Sequence, residues 1–251
     1  MPRGEPGARV AAFLRRHPPG ERLAVAYSGG LDSTVLLHLL AGLRGEHAYR
    51  LSAVHVHHGL LPAAEAWVAH CERQCAALGV PLRVERVSVG RAGRGLEAAA
   101  REARYRVFAG LDVDTLALAH QRDDQAETVL LQLMRGGGVK GLAAMPAARA
   151  LGGITLLRPL LETTRAEIEA HARTHGLSWV EDESNDDVRL RRNAIRRHLL
   201  PMLARTFPDA VQTLARAAGQ FAEQAALLDD LAELDGAGEE QIGRASCRER
   251  V

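Results

Sequence analysis

Apolar residues recur along this chain in two alternating rhythms. Short runs dominated by apolar side chains, "RLAVAYS" (22–28), "RLSAVHVH" (50–57), "LRVERVSV" (82–89), "DTLALAH" (114–120) and "ITLLRPL" (154–160), predict strands. Between and after them, at about 31–43, 63–78, 95–111, 123–135 and 163–176, apolar positions fall three and four apart, as on one face of a helix. Strand and helix in strict alternation predict right-handed crossovers and a parallel sheet sandwiched between helices, an α/β fold. Sheets of this kind bind ligands at the carboxyl ends of their strands. Past about residue 186 the strand pattern stops and "RRNAIRRHLLPMLARTF" and "DAVQTLARAAGQFAEQAALLDDLAEL" read as helix alone. The expected organisation is therefore an α/β catalytic domain over 1–186 and a helical arm with the start of a further domain over 187–241.

The last residues, "IGRASCRERV" (242–251), break the helical pattern and read as the translation of a common sequencing-adapter oligonucleotide. They are expected to be foreign, the native reading frame continuing past Gln241 and the helical region being cut short. Removing their three Arg and one Glu takes Lys+Arg from 32 to 29 and Asp+Glu from 31 to 30, so the net charge moves from +1 to −1. Nucleic-acid binding would then require a local basic patch. One is present: residues 188–207 hold six Arg and no acid, where a solvated helix usually mixes signs. Aromatic residues make up only 4% of the chain, so backbone charge and one pocket, rather than extended base stacking, would carry recognition.

No run reaches the roughly 18 apolar residues of a membrane span, and the first residues lack a signal-peptide core. The expected location is cytoplasmic, with no membrane partner. Cys71 and Cys75 lie four apart on one side of a predicted helix. They are either a redox or metal pair or ordinary packing, and no second Cys pair or matching His pair completes a metal set. His55, His57 and His58 close a strand, which makes a metal site conceivable, though zinc would need ligands that are not nearby in sequence.

The candidate chemistry begins at Ser28-Gly29-Gly30-Leu31-Asp32-Ser33, between a buried strand and a helix. Glycines allow a tight turn that brings N–H groups close to an anion, and the helix aims its positive end at the same place. The chain's one Lys, Lys140, is far from this turn, so it is not a Walker A loop. A second cluster opens the helix after the fourth strand: His120, Asp123, Asp124, Glu127 and Thr128, followed by the exit "RGGGVKGL". Acids in a first helical turn serve capping as readily as chemistry, and Gly136 serves equally as a helix C-cap.

The S-G-G-x-D-S string resembles the pyrophosphate loop of the N-type ATP pyrophosphatases, the PP-loop superfamily, which cleave ATP between its α and β phosphates. With the second cluster and the strings "RPLLETTRAEIEAHARTHGL", "WVEDESND" and "RRNAIRRHLLPML", the chain from about 22 to 205 is similar to the tRNA(Ile)-lysidine synthetases. That resemblance implies ATP as substrate and Mg2+ as cofactor, with no zinc or iron–sulfur cluster. The implied reaction adenylates the 2-oxo group of the wobble cytidine in the CAU anticodon of tRNA(Ile). The ε-amine of free lysine then displaces AMP. It assigns Ser28, Gly29, Gly30, Leu31, Asp32, Ser33, His55 and Arg101 to ATP and pyrophosphate, Asp32 also to magnesium. Asp124 and Glu127, with Asp123 behind them, would bind the amine and help it shed a proton. His120, Gly136, Gly137, Gly138, Lys140 and Gly141 would serve lysine or close over the anticodon, and Arg192, Asn193 and Arg196 would contact tRNA. Leu61 and Glu183 depart from residues common in that family. A tRNA thiolase and a non-catalytic nucleotide-binding module are the rival readings. Oligomeric state, including a homodimer, does not follow from the sequence.

Overall fold

The computed structural model describes residues 5–59, 64–88, 96–181, 188 and 190–248, without the side chains of 64, 96, 97 and 236–248. Leu61, Glu183 and the boundary near 186 lie outside the described residues. The chain divides into two compact units: Met1–Asp124 with Ala147–Asp187, and Gln125–Pro146 with Val188–Val251.

The first unit is built on a six-stranded sheet of order β3-β2-β1-β4-β6-β5. Its strands are β1 Arg22–Ala26, β2 Arg50–His57, β3 Leu82–Arg86, β4 Thr115–Ala117, β5 Ala148–Leu151 and β6 Ile154–Leu157. Every pairing is parallel except β5 with β6. The five expected strands all form, and β5 is an addition: "ARAL" and "ITLL" turn back on Gly152-Gly153, where Gly152 has φ +57°. That two-residue glycine turn is a hairpin signal, and it makes the expected parallel sheet end in one antiparallel edge strand.

Period-two alternation in β1 sends Leu23 and Val25 to one face and Ala24 and Ala26 to the other. The first face packs on α1 Pro6–Arg16, α2 Leu31–Gly42, α3 Ala64–Ala77 and α7 Arg165–Thr174 through Val10, Leu14, Leu36, Leu40, Cys71, Cys75 and Ile168. The second packs on α4 Leu96–Ala109 through Phe108, with Val54, Leu116 and Leu156. Helix α1 is a further element; its Pro at the start and apolar Val10, Ala11, Phe13 and Leu14 explain it. Strand order reverses at β1, so the crevice between the ends of β1 and β4 is the switch point of the sheet.

The second unit contains most of α5 (Arg122–Leu133), α6 Val139–Leu142, α8 Arg191–Ala194, α9 Leu200–Thr206 and α10 Ala210–Arg248. A π-helical turn, Ile195–Leu199, joins α8 to α9 without a break. Its core is Ala126, Leu130, Ile195 and Leu200, with Leu203, Val211 and Leu214 against them.

Candidate active site

The switch-point crevice starts with backbone geometry. Tyr27 carries the β1–β2 pairing one residue past the strand, its N–H donating to Val54 O at 2.8 Å. The chain then turns at Gly29, where φ is +84° and an added Cβ would lie 2.9 Å from Cys71 Sγ and 3.2 Å from Val180 Cγ2. Both the dihedral and the space require glycine there. Gly29 O accepts from Val180 N at 2.9 Å, fastening the turn to the segment after α7. Gly30 is extended and stands as N-cap of α2, and no side chain caps that helix. Ser28 Oγ accepts from Gly30 N at 3.3 Å and lies 3.0 Å from Ser33 Oγ, while Ser33 Oγ donates to Gly30 O at 3.0 Å. Leu31 is buried in the core, so only its backbone faces the turn. Two hydroxyls and the first turn of a twelve-residue helix therefore surround one spot, a combination that suits a phosphate.

Asp32, in that first turn, is paired with Arg165 Nη1 at 3.1 and 3.2 Å. Arg165 is the first residue of α7, whose start is set by a full capping box between Thr164 and Glu167. Its backbone N–H donates to Asp123 Oδ2 at 3.0 Å. One arginine thus links the glycine turn to the acids after β4. The sequence assigned Arg165 no role; the T-x-x-E box that contains it was the available signal.

After β4, Gln121 and Asp124 cap α5 reciprocally. Asp124 Oδ2 accepts from Gln121 N at 3.0 Å, and Gln121 Oε1 accepts from Asp123 N at 2.7 Å. The capping suspected of Asp123 is thus carried on α5 by Asp124, while Asp123 caps α7. His120 is half-buried and its Nδ1 accepts from Arg158 Nε at 3.3 Å, which leaves the ring's proton on Nε2.

In the second unit Glu127 is fully buried, and both of its oxygens are taken by guanidinium groups. Arg192 Nε donates to Oε2 at 2.7 Å, and Arg196 reaches both oxygens, at 2.5 and 3.1 Å. The two arginines share a face because they are one helical turn apart. Asn193 beside them is 7% exposed. The proposed amine ligand and two of the proposed tRNA contacts are therefore engaged with one another. Gly136, with φ +70°, and Gly137, whose N–H donates to Gln132 O at 2.8 Å, terminate α5 as a C-cap. Gly138 is the N-cap of α6, and Lys140 Nζ sits 2.6 Å from Asp229 of α10.

Other expected residues lie in quieter places. His55 is 5% exposed and its Nδ1–H donates to Tyr27 O at 2.9 Å, with burial lowering its pKa. Arg101 is exposed and lies 4.9 Å over the Tyr105 ring. Cys71 and Cys75 are buried in the core, and burial pushes their thiols up to about 12 and about 11. Among the described residues no group of three or more His, Cys, Asp or Glu side chains is arranged to hold a metal ion. Magnesium needs less from the protein, since one carboxylate plus substrate phosphates suffices, and Asp32 beside the glycine turn fits that role. No helix among the described residues is long and apolar enough to cross a membrane.

A glycine turn and helix start at a sheet's switch point mark an α/β protein built to hold a nucleotide's phosphates. Within that class the chain belongs to the PP-loop family, whose domain model matches residues 7–203. It is 56% identical over 214 residues to the tRNA(Ile)-lysidine synthase of Pseudomonas aeruginosa, covering 84% of this chain and 48% of that protein. With the tRNA(Ile)-lysidine synthase of Chromobacterium violaceum it shares 55% identity over 235 residues, 90% of this chain and 54% of that one. The chain thus spans about half the length of the curated relatives it matches. Among solved structures it resembles the U34-tRNA thiolase NcsA from Methanococcus maripaludis with its 4Fe-4S cluster, at TM-score 0.70 and 18% identity, over 87% of this chain and 78% of that one. That likeness is one of fold.

Proposed function

We propose that this chain is the ATP-using part of an enzyme that forms lysidine in tRNA(Ile). In this reading ATP lies with its β and γ phosphates in the turn Ser28–Ser33, with Asp32 holding magnesium against them. The 2-oxo group of the wobble cytidine attacks the α phosphorus, pyrophosphate leaves, and the adenylated base becomes the electrophile. The ε-amine of free lysine then adds at that carbon, and AMP departs. Since a lysine amine is mostly protonated at neutral pH, a carboxylate must take its proton before or during attack.

The observation that carries the reading is the gathering of Asp32, Asp123 and Arg165 at the carboxyl ends of β1 and β4, where a transferred adenylyl group and a second substrate can meet. The names of the relatives support the choice of tRNA and lysine. Asp124 remains the first acid to test for amine binding. Glu127, held by two guanidiniums, serves the amine only if Arg192 and Arg196 are drawn away by substrate. The thiolase reading is weakened by Cys71 and Cys75: buried thiols pushed up to about 12 and about 11 are poor sulfur nucleophiles.

The test is incorporation of labelled lysine into a CAU-anticodon tRNA(Ile) transcript with ATP and magnesium, with pyrophosphate release followed in parallel. Lysine transfer that vanishes when the wobble cytidine is replaced supports the reading. Pyrophosphate release with tRNA but no lysine transfer points to another acceptor, and release of neither points to a binding module. Asp124→Asn should lower lysine transfer by about 100-fold or more while leaving ATP binding intact; transfer near the parental rate would remove Asp124 from its role.

A further inference from the structure

Beyond the glycine turn, the sheet unit gathers a second set of cationic groups. Arg158 follows β6 directly and is 3% exposed, deep for a guanidinium. Its Nε donates to His120 Nδ1 at 3.3 Å, and the Tyr105 side chain acts on it electrostatically, favouring its charged form. The Tyr105 ring also carries two further guanidiniums, Arg101 at 4.9 Å and Arg149 at 5.3 Å from its centroid. Arg101 comes from α4 and Arg149 from the antiparallel edge strand β5, so three separate elements converge on one ring. Burial first, and then the like charges of Arg149 and Arg101, lower the Arg158 pKa against the favourable effect of Tyr105.

Cation–π contact holds Arg101 and Arg149 by about 0.5–2 kcal/mol each, but it does not cancel charge. Three arginines brought together repel one another, and an oxyanion between them would relieve that repulsion through charge-assisted hydrogen bonds. The ligand chemistry is therefore a phosphate, which ATP and an RNA strand could both supply. Two observations favour RNA. ATP's phosphates already have the turn after β1, whereas this cluster is tied to β6 and β5 on the far side of β4. Arg101 and Arg149 are solvent-exposed, as suits a strand that continues past the pocket rather than a ligand that ends in it.

We propose that Arg101, Arg149 and Arg158, collected on Tyr105 beside His120, form a subsite for a backbone phosphodiester of the RNA that carries the target base, in place of the ATP contact that the resemblance implied for Arg101. This rests on the RNA-modifying function proposed above. The subsite fixes the strand beside His120, which accepts from Arg158, so strand position and the His120 ring are coupled through one contact.

The experiment uses the chain as it stands, a CAU-anticodon tRNA(Ile) transcript, and binding measured over a range of salt concentrations. Arg149→Gln removes an exposed charge with little risk to folding. Arg83→Gln removes another exposed charge, from β3, as a control. The expected result for Arg149→Gln is roughly five-fold weaker tRNA binding and a salt slope shallower by about 0.7–0.9. The KM for ATP stays unchanged, and Arg83→Gln has no such effect. Unchanged tRNA affinity and slope in Arg149→Gln would overturn the proposal. So would a raised KM for ATP with the slope intact, which would hand the cluster to the nucleotide, or an equal shift in Arg83→Gln, which would mean a diffuse field. If the parental chain itself binds no tRNA, the RNA-modifying reading fails, and this inference fails with it.

Discussion

The two units each hold a carboxylate between helices by means of arginine, and water treats the two arrangements differently. In the sheet unit Asp32 and Arg165 are 26% and 43% exposed. In the helical unit Glu127 is 0% exposed beneath Arg192 and Arg196. The first pair sits in high dielectric, where a phosphate or magnesium ion can replace either partner at little cost. The second is desolvated, so each member is needed to neutralise the others. The same chemistry is thus exchangeable at the phosphate turn and structural in the helical unit.

The sharpest way to break this contrast is Glu127→Ala. It leaves two part-buried guanidiniums facing each other, and denaturant unfolding should show a loss of about 3–5 kcal/mol. A loss below about 1 kcal/mol would mean that water already screens the cluster. Next in size is Gly29→Ala, which places a side chain at φ +84° and 2.9 Å from Cys71 Sγ. About 1–3 kcal/mol of stability should go, together with ATP binding. Wild-type ATP affinity in that variant would show that the turn's shape is not what holds the nucleotide.

A pH series tests the seam between α2 and α7 in the same unit. His38 Nδ1 lies 3.2 Å from His171 Nε2, and the His171 and His175 rings stack at 4.0 Å. Burial, His175 and His38 push His171 from 6.5 down to about 4. Between those values the unfolded chain binds a proton that the folded chain refuses. Stability is therefore full above about pH 6.5 and falls as pH drops toward 4. His171→Gln should flatten that fall, and an undiminished slope would assign it to other groups. The smallest effect is expected for Arg165→Met. It keeps the backbone N–H to Asp123 and removes the part-exposed ion pairs with Asp32 and Glu169, so stability should change by no more than about 1 kcal/mol. A loss of more than about 2 kcal/mol would erase the difference between the two units.

Legibility followed the range of the interactions. β2 runs over the predicted residues 50–57, and α2, Leu31–Gly42, starts where the glycine turn said it would, because alternation and helix spacing are local patterns. Strand β5 is four residues long and its signal spans too few residues to stand out, whereas the apolar spacing of Val10, Ala11, Phe13 and Leu14 did mark α1, although α1 was not among the expected helices. The candidate acids were visible as residue types, but not what each one touches. Asp124 and Asp123 both lie in the first turn of α5, yet one caps its own helix and the other caps α7, whose first residue is 42 positions away.

The amino-acid sequence by itself determined the α/β alternation, the glycine turn that only a residue without Cβ can make, and the placing of polar residues at strand ends. These depend on backbone sterics and on periodicity within a few residues. Tertiary structure alone decided that Glu127 is sealed by Arg192 and Arg196, that Arg165 bridges Asp32 and Asp123, and that three arginines meet on Tyr105. Apart from Arg101 and Tyr105, which share α4, those contacts join residues 42 to 133 positions apart. Their partners are chosen by how helices and strands pack, because burial and dielectric, which set the strength of each charge, exist only once the chain has folded.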